Sequence, residues 1–361
     1  MNSVKSIYWH YPFCKHLCNY CDFYKLQKKA DSHTSGLHES YDQQWQKNLE
    51  LLERFDLSLA PLETLYFGGG TPSLWGSDGA NYLKNFFKKN KVQFAKNHEF
   101  ALELDPGTWQ VEELKPWLDL GLNRISMGVQ SLSDEYLATL DRKQSRAECL
   151  ETLKYFSQQK MNFSADFLLG SPELKGSKRN VIEELKKLLE FSPSHISLYI
   201  LTVNKKYALY SSLPDDQFIH DEYLAVSEFL RSQGFEHYEV SNFAKPGFHS
   251  RHNFVYWQAR SFLAMGPSAT GYLALESEKA FRYKWTPGRN EFSEEQLGKA
   301  ELDLEALYLG LRTNLGIQPN QKNRALLESW VNQGYGKWDS ETFKMLPKGW
   351  IILDSLISVI I

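Results

Sequence analysis

Cysteine is scarce in this chain, 4 in 361 residues, and that count alone excludes a disulfide-stapled secreted scaffold. Charge of one sign is also missing. Against 41 Lys and Arg stand 44 Asp and Glu, a net of −3, so no global field argues for nucleic acid or an anionic membrane as partner. No stretch approaches the ~18 unbroken apolar residues of a membrane span. The least polar long window, 261–275, is broken by Gly266, Pro267 and Gly271. A signal-peptide core is lacking too, because His10 and Pro12 interrupt Ile7-Tyr8-Trp9. There is no internal repeat and no low-complexity tract. What remains is an ordinary globular composition, 42% hydrophobic and 24% charged, for which a reducing cytoplasm is the expected setting. The length corresponds to roughly two or three domains.

Short β-branched or aromatic runs alternate with longer amphipathic stretches through the first two thirds. Strands are expected at 6–10, 64–67, 99–104, 124–127, 162–168 and 195–201. Helical patterns lie between them, as in 41–59, where Trp45, Leu49 and Leu52 share a face. Ser40 with Gln43, and Ser145 with Glu148, read as capping boxes at two helix starts, and 33–39 reads as a polar surface loop. Strand, helix, strand at this spacing implies parallel βα units, hence an α/β fold, either a partial barrel or a doubly wound sheet. One more helix is expected over 215–233, with Tyr223, Val226, Phe229 and Leu230 on one side. The segment 234–271 has weak periodicity. From 301 onward, helices at 302–311 and 324–333 and a final strand at 349–353 suggest a small α+β appendage.

Three of the four cysteines, Cys14, Cys18 and Cys21, fall within eight positions directly after the first strand. Three thiolates so placed can converge on one metal centre. Zinc would need a fourth ligand, with His10 or His16 at hand. An iron–sulfur cube held by three cysteines leaves one iron open. Three reduced core cysteines fit poorly beside Pro12, Lys15 and His16. The fourth, Cys149, lies on an amphipathic pattern as a small core residue.

A strand followed by C-x3-C-x2-C resembles the radical S-adenosylmethionine (SAM) superfamily. Tyr8-Trp9-His10-Tyr11-Pro12-Phe13-Cys14, Gly68-Gly69-Gly70-Thr71-Pro72-Ser73, Glu103-Leu104-Asp105-Pro106 and Gly128-Val129-Gln130-Ser131 are similar, in order, to its coproporphyrinogen III oxidase-like family, and most closely to the HemW-type haem chaperones within it. The resemblance implies a partial (β/α)6-type TIM barrel over 1–235, a connecting segment over 236–295 and a small winged-helix-like α+β domain over 296–361. It implies a [4Fe–4S] cluster on Cys14, Cys18 and Cys21. It implies SAM on Tyr8, Gly69, Gly70, Thr71, Glu103, Gln130, Arg142 and Asp166, with the glycines holding the methionine amino group. Independently, functional groups of parallel βα folds gather where strands end, and Glu103, Asp105, Gln130 and Asp166 all follow or close expected strands.

One departure bears on function. Coproporphyrinogen oxidases of this family carry a further cysteine where this chain has Phe23. The segment His252-Asn253-Phe254-Val255-Tyr256-Trp257 matches an H-N-x-x-Y-W pattern that the resemblance associates with haem, with His252 as the candidate iron ligand. A second departure is Thr270, where relatives usually carry histidine. The expectation is therefore a haem chaperone on a radical SAM scaffold, with haem as cargo and with a haem-acceptor protein and an electron donor as partners. The competing readings are a porphyrinogen decarboxylase and a radical SAM oxidoreductase of another substrate.

Overall fold

The computed structural model describes residues 3–28, 35–174, 179–319 and 321–360. In chain order, the elements run β1 (Ser3–Tyr11), β2 (Phe13–Cys14), β3 (Leu26–Gln27), α1 (Ser35–Arg54), β4 (Ser58–Gly69), α2 (Gly76–Lys89), β5 (Phe94–Leu104), α3 (Val111–Asp119), β6 (Arg124–Gln130), α4 (Asp134–Thr139), α5 (Arg146–Gln158) and β7 (Phe163–Leu169). Then follow α6 (Val181–Leu189), β8 (His195–Ile200), α7 (Asp216–Ser232), β9 (Glu236–Glu239), β10 (Asn242–Ala244), α8 (Arg251–Trp257), β11 (Leu263–Met265), β12 (Thr270–Leu275), β13 (Lys279–Trp285) and β14 (Phe292–Leu297). The chain closes with α9 (Lys299–Gly310), α10 (Gln321–Asn332), β15 (Gly336–Asp339), β16 (Thr342–Met345), α11 (Pro347–Trp350) and α12 (Leu353–Ile360). The fold is α/β, and all six expected strands are present as β1 and β4 to β8.

The chain forms two compact units. One takes the chain up to Ala165 and then Arg260–Leu297; the other takes Asp166–Ala259 and everything from Gly298. The boundaries expected at 235 and 295 are not these. The segment 236–295 is split, because β11 pairs parallel with β1 through Ile7–Leu263, Tyr8–Ala264 and Trp9–Met265 and carries β12–β14 with it.

In the first unit β1 also pairs parallel with β4, β4 with β5, and β5 with β6. Because these neighbours are parallel, their carboxyl ends share one edge, and that edge positions the site. Beneath it lies an aromatic core. The Trp9 ring, fully buried, stacks on Phe67 at 5.5 Å and meets Tyr41 and Phe86 edge-on, each at 5.1 Å. The buried face of α1 is Tyr41, Gln44, Trp45, Asn48 and Leu52, whereas Leu49 is exposed. Two polar residues hold places on that face because the returning segment needs them. Gln44 Oε1 accepts from the Gly266 amide at 2.6 Å, and Asn48 accepts from the Tyr283 hydroxyl while donating to Ala264 O at 3.1 Å. The strands β12, β13 and β14 form an antiparallel meander.

Several expectations change. Residues 35–39 of the supposed polar loop are the first turns of α1, and 33–34 lie outside the described residues. Ser40 is therefore inside a helix, where its hydroxyl donates to Asn290 instead of capping. The second box stands: Ser145 accepts from the Glu148 amide while the Glu148 carboxylate accepts from the Ser145 amide. Cys149 is fully buried.

In the second unit β10 pairs antiparallel with β8 and β9. Asp215 caps α7, whose buried residues include Tyr223, Val226 and Leu230, with Phe229 at the margin. The expected strand at 349–353 is helical. Pro347 opens α11, and Trp350 buries its indole by donating Nε1 to Leu311 O at 2.9 Å. A five-residue apolar run carries no period that separates a buried turn from a strand. The two strands of this region are the hairpin β15–β16.

Candidate functional site

The loop after β1 is anchored at both ends by backbone bonds. Leu26 N donates to Pro12 O at 2.7 Å and Lys28 N to Cys14 O at 2.8 Å, closing β2 against β3. The glycine run at the end of β4 holds the other side: Gly70 N donates to Tyr11 O at 2.7 Å and Thr71 N to Phe13 O at 2.8 Å. A Cβ on Gly70 would stand 2.7 Å from Phe13 O, so only glycine permits this approach. Gly69 has φ +115°, and a Cβ there would strike the His10 ring.

Cys14 is buried and Cys18 and Cys21 are half-buried. Burial pushes the Cys14 thiol up to about 11, and the nearby Asp105, Cys21 and Cys18 add to the rise. Burial also pushes up the Cys18 thiol, against the pull of the Arg142 guanidinium 3.8 Å from its sulfur. Three soft donors on one anchored loop fit an iron–sulfur centre, whose positive iron turns such thiols into thiolates. The zinc alternative loses His10 as a fourth ligand. Its Nε2 meets Tyr24 O at 2.9 Å, a pure acceptor, so Nε2 carries the proton and Nδ1 accepts from the Tyr8 hydroxyl at 3.2 Å. Burial lowers His10 to about 4, which keeps the ring neutral. His16 is engaged as well, with Nε2 on Asp141 at 2.7 Å.

Along the strand ends the carboxylates and cations interlock. Glu103 Oε1 accepts from the Tyr66 hydroxyl at 3.0 Å and Oε2 from the Gly69 amide at 3.1 Å. Tyr8 stacks on Tyr66 at 6.3 Å. Asp105 accepts from the Thr71 hydroxyl at 3.3 Å and from Arg142, which also donates to Gly128 O at 3.1 Å and to Gln144 at 2.8 Å. Arg142 is thus a buried, fully engaged cation at 8% side-chain exposure. Gln130 closes β6 at φ +65°, a sparsely populated conformation for a side chain other than glycine. A cavity of about 260 Å³ opens between this cluster and the cysteine loop, lined by Lys15, His16, Cys18, Asp105, Arg142 and Lys143 among others.

Tyr8, Gly69, Gly70, Thr71, Glu103, Gln130, Arg142 and the three cysteines therefore all belong to the first unit and line one sheet edge. Asp166, half-buried in β7, belongs to the second unit. So does His252, the candidate iron ligand, which is 1% exposed with its Nε2 2.7 Å from the Tyr256 hydroxyl. The sequence offers His10 only as a fourth zinc ligand and Asp105 only as a strand-end group, and it does not single out Asp141. The E-L-D-P run signalled Asp105; nothing local signalled Asp141, whose partner His16 lies 125 positions away.

Among the described residues no helix is long and apolar enough to cross a membrane. A family model described as the radical SAM superfamily matches residues 8–191. The haem chaperone HemW of Haemophilus influenzae is 33% identical over 287 residues, covering 78% of this chain and 73% of that protein. HemW of Escherichia coli is 30% identical over 311 residues, covering 83% and 79%. The mouse mitochondrial radical S-adenosyl methionine domain-containing protein 1 is 30% identical, covering 97% and 82%. Among solved structures, coproporphyrinogen III oxidase of E. coli, described as a radical SAM enzyme, superposes with TM-score 0.77 at 18% identity, covering 99% of this chain and 89% of that one, a likeness of fold. With a strand-anchored C-x3-C-x2-C loop, a glycine run packed against it and these relatives, the chain belongs to the radical SAM superfamily and, within it, to the HemW family.

Proposed function

We propose that this protein is a haem chaperone: it binds haem and passes it to an acceptor protein, on a scaffold that carries a [4Fe–4S] cluster and SAM. The observation that carries this reading is Phe23. It occupies the position of the oxidases' additional cysteine, and it is 71% exposed beside the cysteine loop. A phenyl ring there offers no thiol to a porphyrinogen decarboxylase.

Cys14, Cys18 and Cys21 would hold the cluster. Tyr8, Gly69, Gly70, Thr71, Glu103, Gln130 and Arg142, all in the first unit, would hold SAM. When bound, the pair supplies one-electron cleavage of the sulfonium carbon–sulfur bond. The chain's own residues prepare the place. Glu103, already oriented by Tyr66 and Gly69, presents a carboxylate to a ribose diol or an ammonium. The neutral His10 fixes the Tyr8 hydroxyl. Arg142 cancels the Asp105 charge and leans on Cys18. An electron donor and a cytoplasmic setting belong to the same proposal.

The test is to incubate the anaerobically reconstituted protein with haem and, separately, with coproporphyrinogen, SAM and reductant. Stoichiometric haem that transfers to an apoprotein, without porphyrinogen turnover, is the expected result. Sustained conversion to protoporphyrinogen would refute the chaperone reading. In the same preparation, Glu103→Gln should retain the cluster and weaken SAM binding by about 1–3 kcal/mol through loss of a charged acceptor. Unaltered SAM affinity would assign Glu103 to the fold instead.

A further inference from the structure

A haem iron ligand must present a ring nitrogen to solvent, next to apolar surface. Several of the described histidines fail that requirement. Both nitrogens of His10, His98 and His237 are occupied by protein partners. His195 is buried with Nε2 on the Tyr238 hydroxyl, and His252 is buried on Tyr256. His38 is stacked on Tyr82 at 4.1 Å and accepts from Trp75. Three are left that reach solvent and pair with a carboxylate: His16, His220 and His249. His16 sits between cluster cysteines. His220 has no exposed large apolar neighbour in sequence. His249 directly follows Phe248, which is 42% exposed, and precedes the exposed Arg251 by two positions.

We propose that His249, not His252, is the side chain that ligates haem iron in this protein, through Nε2 and with release of Glu236; the inference rests on the haem-binding reading above. The ring is preorganised for it. One face stacks on Tyr238 at 4.3 Å and 26°, and Phe254 stands 5.9 Å away. Tyr238 is itself fixed, bonded to His195 at 2.7 Å and accepting from the Ser250 amide at 3.2 Å. The imidazole edge therefore holds one orientation. The contact that iron must displace is weak, since Glu236 is 47% exposed and His249 27%, and pairs that open to water are worth little. Freeing His252 instead would uncover a side chain that is 1% exposed and break a bond to Tyr256 inside the short helix α8. Phe248, next in sequence and 42% exposed, offers apolar surface, and Arg251, two positions on, is an exposed cation of the kind that pairs with a carboxylate.

The experiment titrates hemin into the full chain and into His249→Ala, His252→Gln and Glu236→Gln, following the Soret band and thermal unfolding on each preparation. His249→Ala should bind hemin at least tenfold more weakly and lose the imidazole-ligated spectrum, which free imidazole should restore. His252→Gln should keep the wild-type spectrum and melt at a lower temperature. Glu236→Gln should bind up to about fivefold more tightly, because a competitor for Nε2 has gone. A wild-type spectrum in His249→Ala, with loss in His252→Gln, would overturn the assignment and leave the chaperone reading standing. Weaker binding by Glu236→Gln would overturn the displacement of Glu236. Absence of hemin binding by the wild-type chain would overturn both readings together.

Discussion

Replacing Glu239 by glutamine should stabilise this protein above neutral pH. Glu239 closes β9 and is fully buried. One carboxylate oxygen accepts from the Ser241 amide at 3.2 Å, while Oε1 has no partner and neither has the neighbouring Asn242 Oδ1. Burial raises its pKa from 4.5 to about 7, with the Ser241 amide and Asn242 pulling the other way. The folded chain thus holds a proton that the unfolded chain has already lost. Below about 4.5 both states are protonated and the group takes nothing from stability. As pH rises from 4.5 to about 7, unfolding releases a proton and stability falls; above 7 the loss is complete. At about 1.4 kcal/mol per pH unit, the full difference comes to about 3 kcal/mol. Glutamine cannot titrate, and its amide can still accept from Ser241. Urea denaturation of wild type and Glu239→Gln at pH 5, 6, 7 and 8 should therefore show two curves close together at pH 5 that separate by about 2–3 kcal/mol at pH 8, with the variant more stable. Because the comparison is between two proteins at each pH, titrations elsewhere cancel. A constant difference across this range, or a less stable variant at pH 8, would refute the reasoning.

Gly70→Ala forces a methyl group to within 2.7 Å of Phe13 O and 2.9 Å of the Pro12 carbonyl carbon, so it should cost about 1–3 kcal/mol and lower cluster iron after reconstitution; iron content with a thermal melt checks both, and a full iron complement in a variant of wild-type stability would contradict it. Tyr283→Phe removes a buried hydroxyl that donates to Asn48 and accepts from the Ala264 amide at 3.0 Å, leaving both partners unsatisfied. A loss of about 1–3 kcal/mol in chemical denaturation is expected, and a change below a few tenths would mean that water replaces the hydroxyl.

Six strands and the cysteine loop are legible in the sequence because parallel buried strands read as short apolar runs and three thiols in eight positions have few uses. Ser145 is legible as a cap, since Glu148 answers it locally. Ser40 carries the same local signature and is not a cap, because its partner Asn290 is a long-range one. Leu49 misleads for a related reason: tertiary demand puts Gln44 and Asn48 on the buried face, and hydropathy cannot anticipate a polar residue chosen for one distant amide. The β12–β14 meander did leave a signal, in the alternation of Phe281, Tyr283 and Trp285 along β13, all buried. The cluster and SAM residues are legible as a set of strand ends. The state of each is not, because Arg142 reads as a helix-end charge until Asp105 and Cys18 are seen beside it. His252 is legible as part of a motif, while its burial depends on Tyr256 one turn away on the same helix.

The pairing of β1 with β11 also dictates an order of events during synthesis. Trp9 waits for Met265, roughly 250 residues later, before that side of its strand has a partner. At ~5–20 residues per second, the ribosome needs on the order of ten to fifty seconds to deliver it. Throughout that interval β1, nine residues long, presents an open row of amides and carbonyls on that side to other nascent chains. The nascent protein therefore passes through a stage in which an unpaired strand edge lies next to its cysteines, and any chaperone that guards that edge guards the cluster-binding loop at the same time.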